Sequence, residues 1–372
     1  MAAKKLLALI KDVTLGRGEH VSEILDGDGT LASLLHLSEK HQMQHILGYA
    51  LMSQGDMRLA DKFYTSFAVT KQQIKATENI SQALSDARIE HILLKGAVMR
   101  GLYPEAWMRN SCDVDILVRE EEHARACEVV SGLGYKQEPV VTAHDVAFEL
   151  AEAHIELHYR LIEDYRMRAV SDILRGLWDD ARKSDDSEYR LEMSPEMFCF
   201  YHIAHMAKHF GDGGCGIRSV LDLYIIKSKV TFDEDKLSRL LKQGGLDKFD
   251  AKIREVAEHW FGDASGYGLE FIEEYILSGG VYGNGENRLA VERERKGKIG
   301  YVISRLFPPA RSLASGYPIL KKHKYMLPLV WIIRLAKAPF KKDRHYIDEI
   351  KDTGSEGDIH NMISDLGLSD FC

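Results

Sequence analysis

Asp113 and Asp115 are separated by one residue at the head of an apolar run, Val114 to Val118. Side chains at i and i+2 of a strand leave the same face, with Cα atoms about 7 Å apart. Two carboxylates placed there repel each other, and burying both without a partner is unfavourable. A hard divalent cation relieves that repulsion, and oxygen ligands are what magnesium prefers. A third carboxylate, Glu156, stands between Ile155 and Leu157 in AHIELHY (153–159). On a neighbouring strand it would face the same ions. Three such carboxylates organise two metal ions about 4 Å apart, which activate an attacking oxygen and stabilise a leaving group. Asp113, Asp115 and Glu156 are therefore the expected metal ligands and catalytic residues, with two Mg2+ ions as cofactor. A D-x-D pair alone more often marks acids facing solvent at a strand end. The weight lies in the order: strand, Lys-Gly, short helix, D-x-D in an apolar strand, then apolar-Glu-apolar.

Those pieces read Leu94-Lys95-Gly96, Arg109, Asp113-Val114-Asp115 and Glu156-Leu157-His158. Segment 91–160 resembles the DNA polymerase β-like nucleotidyltransferase superfamily. More narrowly, the chain from about residue 30 to 340 is similar to an uncharacterised bacterial nucleotidyltransferase family with an LKG…R…D-x-D…ELH pattern. The resemblance implies transfer of a nucleoside monophosphate from an NTP to an acceptor, with release of pyrophosphate. It implies that backbone N–H groups of Gly96 and Ala97, at a helix start, face the phosphates, with Lys95 adding charge. The superfamily usually has Gly-Ser or Gly-Gly here, so Ala97 keeps the backbone donors and drops a hydroxyl. The interval from Gly96 to Asp113 is also longer than usual. Arg109 is implied near the phosphates; a salt bridge that tames the acidic cluster explains it equally well. Further along, His205, Lys208 and His209 in H-x-x-K-H, with Arg218 and Asp222, are implied to line the nucleotide cleft from a helical domain. Packing and helix-to-helix ion pairing are the rival account of those five residues. His158 shares the Glu156 face by strand alternation and is expected to be structural. The acceptor, whether small molecule, protein or RNA, is not specified. A toxin–antitoxin-type enzyme acting on protein or RNA shares the chemistry, and a catalytically idle nucleotide-binding or protein-interaction scaffold is the rival from another class.

Several elements must position these groups. Residues 1–88 read as helical, with apolar positions recurring at three and four residues. The period then shortens: 91–95, 114–118, 137–141, 146–150 and 154–159 read as strands, with a helix over 120–134. From Met167 onward the chain reads almost wholly helical, and Ser194-Pro195-Glu196 makes an N-cap and first turn. The expected fold is α+β: a small mixed-sheet nucleotidyltransferase core (89–165) between an N-terminal helical cap (1–88) and a larger C-terminal helical domain (166–345), followed by an acidic tail (346–372).

The composition, 45% hydrophobic and 28% charged, is that of a globular chain. A formal net charge of −8 excludes an overall nucleic-acid-binding character. Five scattered cysteines without a CxxC pair exclude a disulfide framework and a structural zinc site, and a reducing cytoplasm is the expected compartment. His205-x-x-x-His209 has zinc-like spacing but lacks the glutamate of HExxH. Gly211–Gly216 matches GxGxxG literally but falls between helices, and no P-loop is present. Charge is uneven: residues 296–344 hold twelve Lys or Arg against Asp343 alone. Three readings stand for this stretch. Its apolar side packs on the core while its cations pair with the acidic remainder, or it binds the acceptor, or 321–344 lies on an anionic membrane surface. The first is favoured.

Overall fold

The computed structural model describes residues 2–16, 30–141, 144–150, 153–162, 167–281, 283–284, 287–288, 291, 300, 303, 306–313, 317, 319–337 and 356–369. Four helices come first: α1 (Ala2–Leu15), α2 (Thr30–Lys40), α3 (Gln44–Ser53) and the long α4 (Ala60–Asp86). Strand β1 (His91–Leu93) leads into the short α5 (Lys95–Met99), and β2 (Val114–Val118) into α6 (His123–Gly132). A meander of β3 (Lys136–Val141), β4 (Asp145–Leu150) and β5 (Ala153–His158) follows. After α7 (Arg168–Arg175) and α8 (Leu177–Asp180) the chain makes a hairpin, β6 (Arg182–Ser184) and β7 (Ser187–Glu192). Helices α9 (Pro195–Gly211), α10 (Gly216–Lys229), α11 (Glu234–Gln243), α12 (Asp247–Phe261) and α13 (Glu270–Gly279) then form the helical layer. Mixed helix and sheet are thus present as expected. The hairpin is a correction, because the chain after Met167 was expected to be helical.

The strands form one mixed sheet in the order β3-β4-β5-β2-β1-β7-β6. Pairs β2–β5 and β1–β7 run parallel and the others antiparallel. Strand alternation gives the sheet two distinct faces. Val114, Ile116, Val118, Ile155 and Leu157 point to one face and share a core with Ala76, Ile80 and Leu84 of α4 and Val130 of α6. Asp115, Leu117, Glu156 and His158 point to the other. There Leu117 joins a larger core containing Phe200, Phe210, Phe249 and Phe261 of the helical layer, together with residues of α1 to α3. Helix α4 thereby divides the first 88 residues: its C-terminal half backs the sheet, while α1 to α3 pack with the later helices.

Sequence explains the helix ends nearest the cleft. Ser194 Oγ accepts the Met197 N–H at 3.3 Å and Pro195 opens α9. The turn from α9 to α10 runs through Gly213 and Gly214, both at positive φ. A Cβ on Gly214 would lie 2.8 Å from Gly279 Cα, so two backbones meet where side chains do not fit.

In the basic segment, helices Ile319–Lys322 and Leu327–Lys337 bury Leu320 and Val330, and Trp331 Nε1 donates to the Pro308 carbonyl at 2.8 Å. Ile319, Tyr325, Leu329 and Ile332 are exposed. Residues 338–344 and much of 346–372 lie outside the described residues. Among the described residues no helix is long and apolar enough to cross a membrane.

Candidate active site

In the register of β2 and β5, Asp115 is the direct partner of Glu156. Neighbouring strands lie about 4.8 Å apart, so the two carboxylates emerge side by side on the helix-facing side of the sheet. Asp113 precedes the first residue of β2 and stands half-buried at the cleft wall. Asp115 is 1% exposed. Its Oδ1 accepts from Lys95 Nζ at 2.8 Å and from His158 Nε2 at 2.9 Å. Burial pushes the Asp115 carboxyl up, but Lys95 and His158 outweigh it and hold the group well below the usual carboxylate range. Asp113 behaves oppositely: burial and then the neighbouring Asp115 charge raise it. Glu156 Oε2 lies 3.3 Å from His158 Nε2, and that hydrogen bond lowers its pKa against burial and Asp115. Burial disfavours the His158 cation, yet its hydrogen bonds to Asp115 and Glu156 raise it overall. Burial likewise opposes the Lys95 cation, and the Asp115 charge more than restores it.

Lys95 reaches Asp115 because of an unusual backbone. Its φ is +39°, in the left-handed region, immediately after the extended Leu94. Gly96 is required by a close approach: a Cβ there would sit 2.9 Å from Ser111 Oγ. The Ala97 N–H donates to the Leu94 carbonyl at 3.1 Å, and the Ala97 side chain lines a separate apolar pocket with Leu93 and Val98. This departs from the expectation that Ala97 presents its N–H to phosphate. Residues 100–112 account for the long interval before Asp113. Trp107 is buried against Tyr49 and Phe63, with ring centroids 4.7 and 4.9 Å away, which ties this stretch to the N-terminal helices.

A cleft of about 270 Å³ separates the acidic face from α9 and α10. Lys95, Gly96, Arg109, Asp113 and Glu156 line it from the sheet side. From the helices come His205, Lys208, His209, Arg218 and Asp222. Asp115 lies beneath this wall, in contact with Lys95. Arg109 is nine-tenths buried and its Nε lies 2.8 Å from each Asp222 oxygen. Its ion-pair partner is therefore Asp222, across to α10, and not the acidic cluster. Asp222 also accepts from the Tyr103 hydroxyl at 2.7 Å. Arg218 Nη1 donates to the Asn110 carbonyl at 3.2 Å and to Gln42 Oε1 at 3.3 Å. Burial, then the nearby Arg109, depress its pKa, so two guanidinium groups crowd one wall. The Nε2 atoms of His205 and His209 lie 3.2 Å apart, and burial keeps the His205 ring neutral.

Several cleft groups carried no sequence signal of their own. Ser111 lies in the irregular stretch before β2. His144 begins β4's approach, and Tyr201 precedes H-x-x-K-H on α9. One turn of helix before His205 was a usable hint for Tyr201, and the sequence itself sets His202 on a turn adjoining His205 and His209. His158, expected to be structural, contacts two of the three carboxylates.

Carboxylates on the sheet thus face a helical wall that carries Lys208 and Arg218 across one cleft. The chain belongs to the family described as uncharacterised nucleotidyltransferase, whose sequence model matches residues 30–262. No curated protein and no solved structure matches it. Membership supports a transferase with a nucleotide substrate and says nothing of the acceptor.

Proposed function

We propose that the protein transfers a nucleoside monophosphate from an NTP to an acceptor hydroxyl or phosphate, releasing pyrophosphate. The observation that carries this reading is the Asp115–Glu156 register, which sets two carboxylates side by side with Asp113 at the cleft wall. Asp115 and Glu156 each offer an oxygen within 4.8 Å of the other, and with Asp113 from the cleft wall they would complete an all-oxygen set suited to Mg2+. When bound, such ions supply charge neutralisation at the α-phosphate and at the departing oxygen. Lys95, Arg218 and Lys208 give the cleft the positive potential that orients a triphosphate. Gly96 lets the backbone approach closely. Glu156, kept ionised by His158, accepts the acceptor's proton as the new oxygen–phosphorus bond forms and the bond to pyrophosphate breaks. Arg109 acts through Asp222, holding the loop before β2 against α10.

The acidic cluster and cationic wall support a polymerase β-like ancestry, and the occupied Ala97 N–H marks a difference in the phosphate-binding turn. Incubation with each labelled NTP and Mg2+, over a panel of acceptors, tests the proposal. Wild-type protein is expected to release pyrophosphate, and Asp113→Ala/Asp115→Ala to release at least about a hundredfold less. Nucleotide binding without turnover on any acceptor would sink it and favour the scaffold reading.

A further inference from the structure

We propose that His144, Asp145 and His158 form a second cation site, for a divalent transition metal of the zinc type, beside the acidic cluster. This does not rest on the nucleotidyl-transfer reading. Asp145 is the register partner of His158 across β4 and β5, so both side chains leave the same face. His144 precedes Asp145, and its ring lies over that of His158 with centroids 5.9 Å apart and planes 28° apart. One ligand atom from each of the three lies within 4.8 Å of the others. His144 Nε2 and Asp145 Oδ1 are 3.8 Å apart. Bonds of about 2.1 Å to zinc put neighbouring ligand atoms about 3.4 Å apart. Closing the site therefore takes shifts within reach of side-chain rotation.

The second observation concerns the His158 ring. Its Nε2 faces two acceptors, Asp115 Oδ1 at 2.9 Å and Glu156 Oε2 at 3.3 Å, so in the neutral ring Nε2 carries the hydrogen. Nδ1 then presents a lone pair. That atom is buried, in a residue 3% exposed, and has no hydrogen-bond partner among the described residues. Buried polar atoms without partners are rare in folded proteins. A histidine that donates one ring N–H to a carboxylate and offers the other nitrogen to an ion is the usual second-shell arrangement of metal sites. Two imidazoles and one carboxylate suit a borderline metal, whereas the neighbouring all-oxygen set suits Mg2+. His144 and His158 both line the cleft, and three protein ligands leave the fourth position of such an ion open.

The test is a zinc titration by calorimetry of the full chain, stripped with chelator and held in saturating Mg2+. Cobalt, whose visible absorption reports nitrogen ligation, is the parallel probe. One equivalent is expected to bind. His144→Ala is expected to weaken it at least tenfold with an unchanged melting temperature and circular dichroism, and Asp113→Asn, which leaves the Asp115–His158 contact in place, to retain it. No binding over Mg2+ overturns the proposal, as does unchanged binding in His144→Ala. Loss in His205→Asn with retention in His144→Ala assigns the ion to the His205–His209 pair and overturns it too. NTP turnover is measured separately, so failure of either proposal leaves the other legible.

Discussion

Lys95 combines two things that rarely coincide, a left-handed backbone and a side chain committed to a buried acid. The left-handed region costs a residue with a Cβ roughly 1–2 kcal/mol, so glycine would relieve the backbone. Glycine would also strip Asp115 of its ammonium partner. Removing one member of a buried pair typically costs about 3–5 kcal/mol, because the other charge stays buried. The ion pair wins on magnitude. Lys95→Met, which keeps the stem and removes the charge, is expected to lower unfolding free energy by about 3 kcal/mol in EDTA. Urea denaturation measures this. Added Mg2+ is expected to stabilise the variant more than the wild type, since an ion then neutralises Asp115 in place of the lysine.

Between elements, the Asp222 carboxylate joins α10 to the stretch before β2 through Arg109 and Tyr103. Asp222→Asn leaves a buried guanidinium without its counter-charge. A loss of about 3 kcal/mol is expected, read as a lower urea midpoint with an unchanged denaturant slope. Strands β1, β2 and β5 were legible because short apolar runs flank the chemistry-bearing residues, and Glu156 was legible as an acid between Ile155 and Leu157. The hairpin β6–β7 was not. Its sequence, RKSDDSEYRLE, is polar apart from Tyr189 and Leu191, and of its strand residues only Leu191 is buried. An edge hairpin that uses mainly backbone pairing leaves little periodicity to detect. The Arg109–Asp222 pair was likewise hidden, because 113 residues separate its members and no local spacing encodes the contact.

Across the whole molecule, His41 ties three segments together. Its Nδ1 accepts the Ile217 N–H at 3.1 Å, which leaves Nε2 to donate to the Leu277 carbonyl at 3.2 Å. Only the neutral ring makes both bonds. Burial lowers its pKa from 6.5 to about 4, and burial does the same to His45, which is also lowered to about 4. Unfolding restores the ordinary value, so the unfolded chain binds more protons throughout this window. The stabilisation is complete above pH 6.5 and declines as pH falls from there to about 4. Each ring accounts for roughly 3 kcal/mol at about 1.4 kcal/mol per pKa unit. Urea midpoints are expected to drop between pH 7 and pH 4.5. His41→Gln, whose amide both accepts and donates, is expected to flatten part of that drop. A pH-independent midpoint in the wild type would refute this account.

The same strands that carry the acids also hold the back core: Ile155 and Leu157 alternate with Glu156 and His158 along β5. A one-residue slip of β5 against β2 would exchange the faces, sending Glu156 into the apolar layer and two aliphatic side chains into the cleft. A misaligned chain is therefore unstable and, on the proposed role of Glu156, inert as well. Any selection on turnover polices the folding of β5 as well, and substitutions at Ile155 or Leu157 will register in an activity screen although neither touches the cleft.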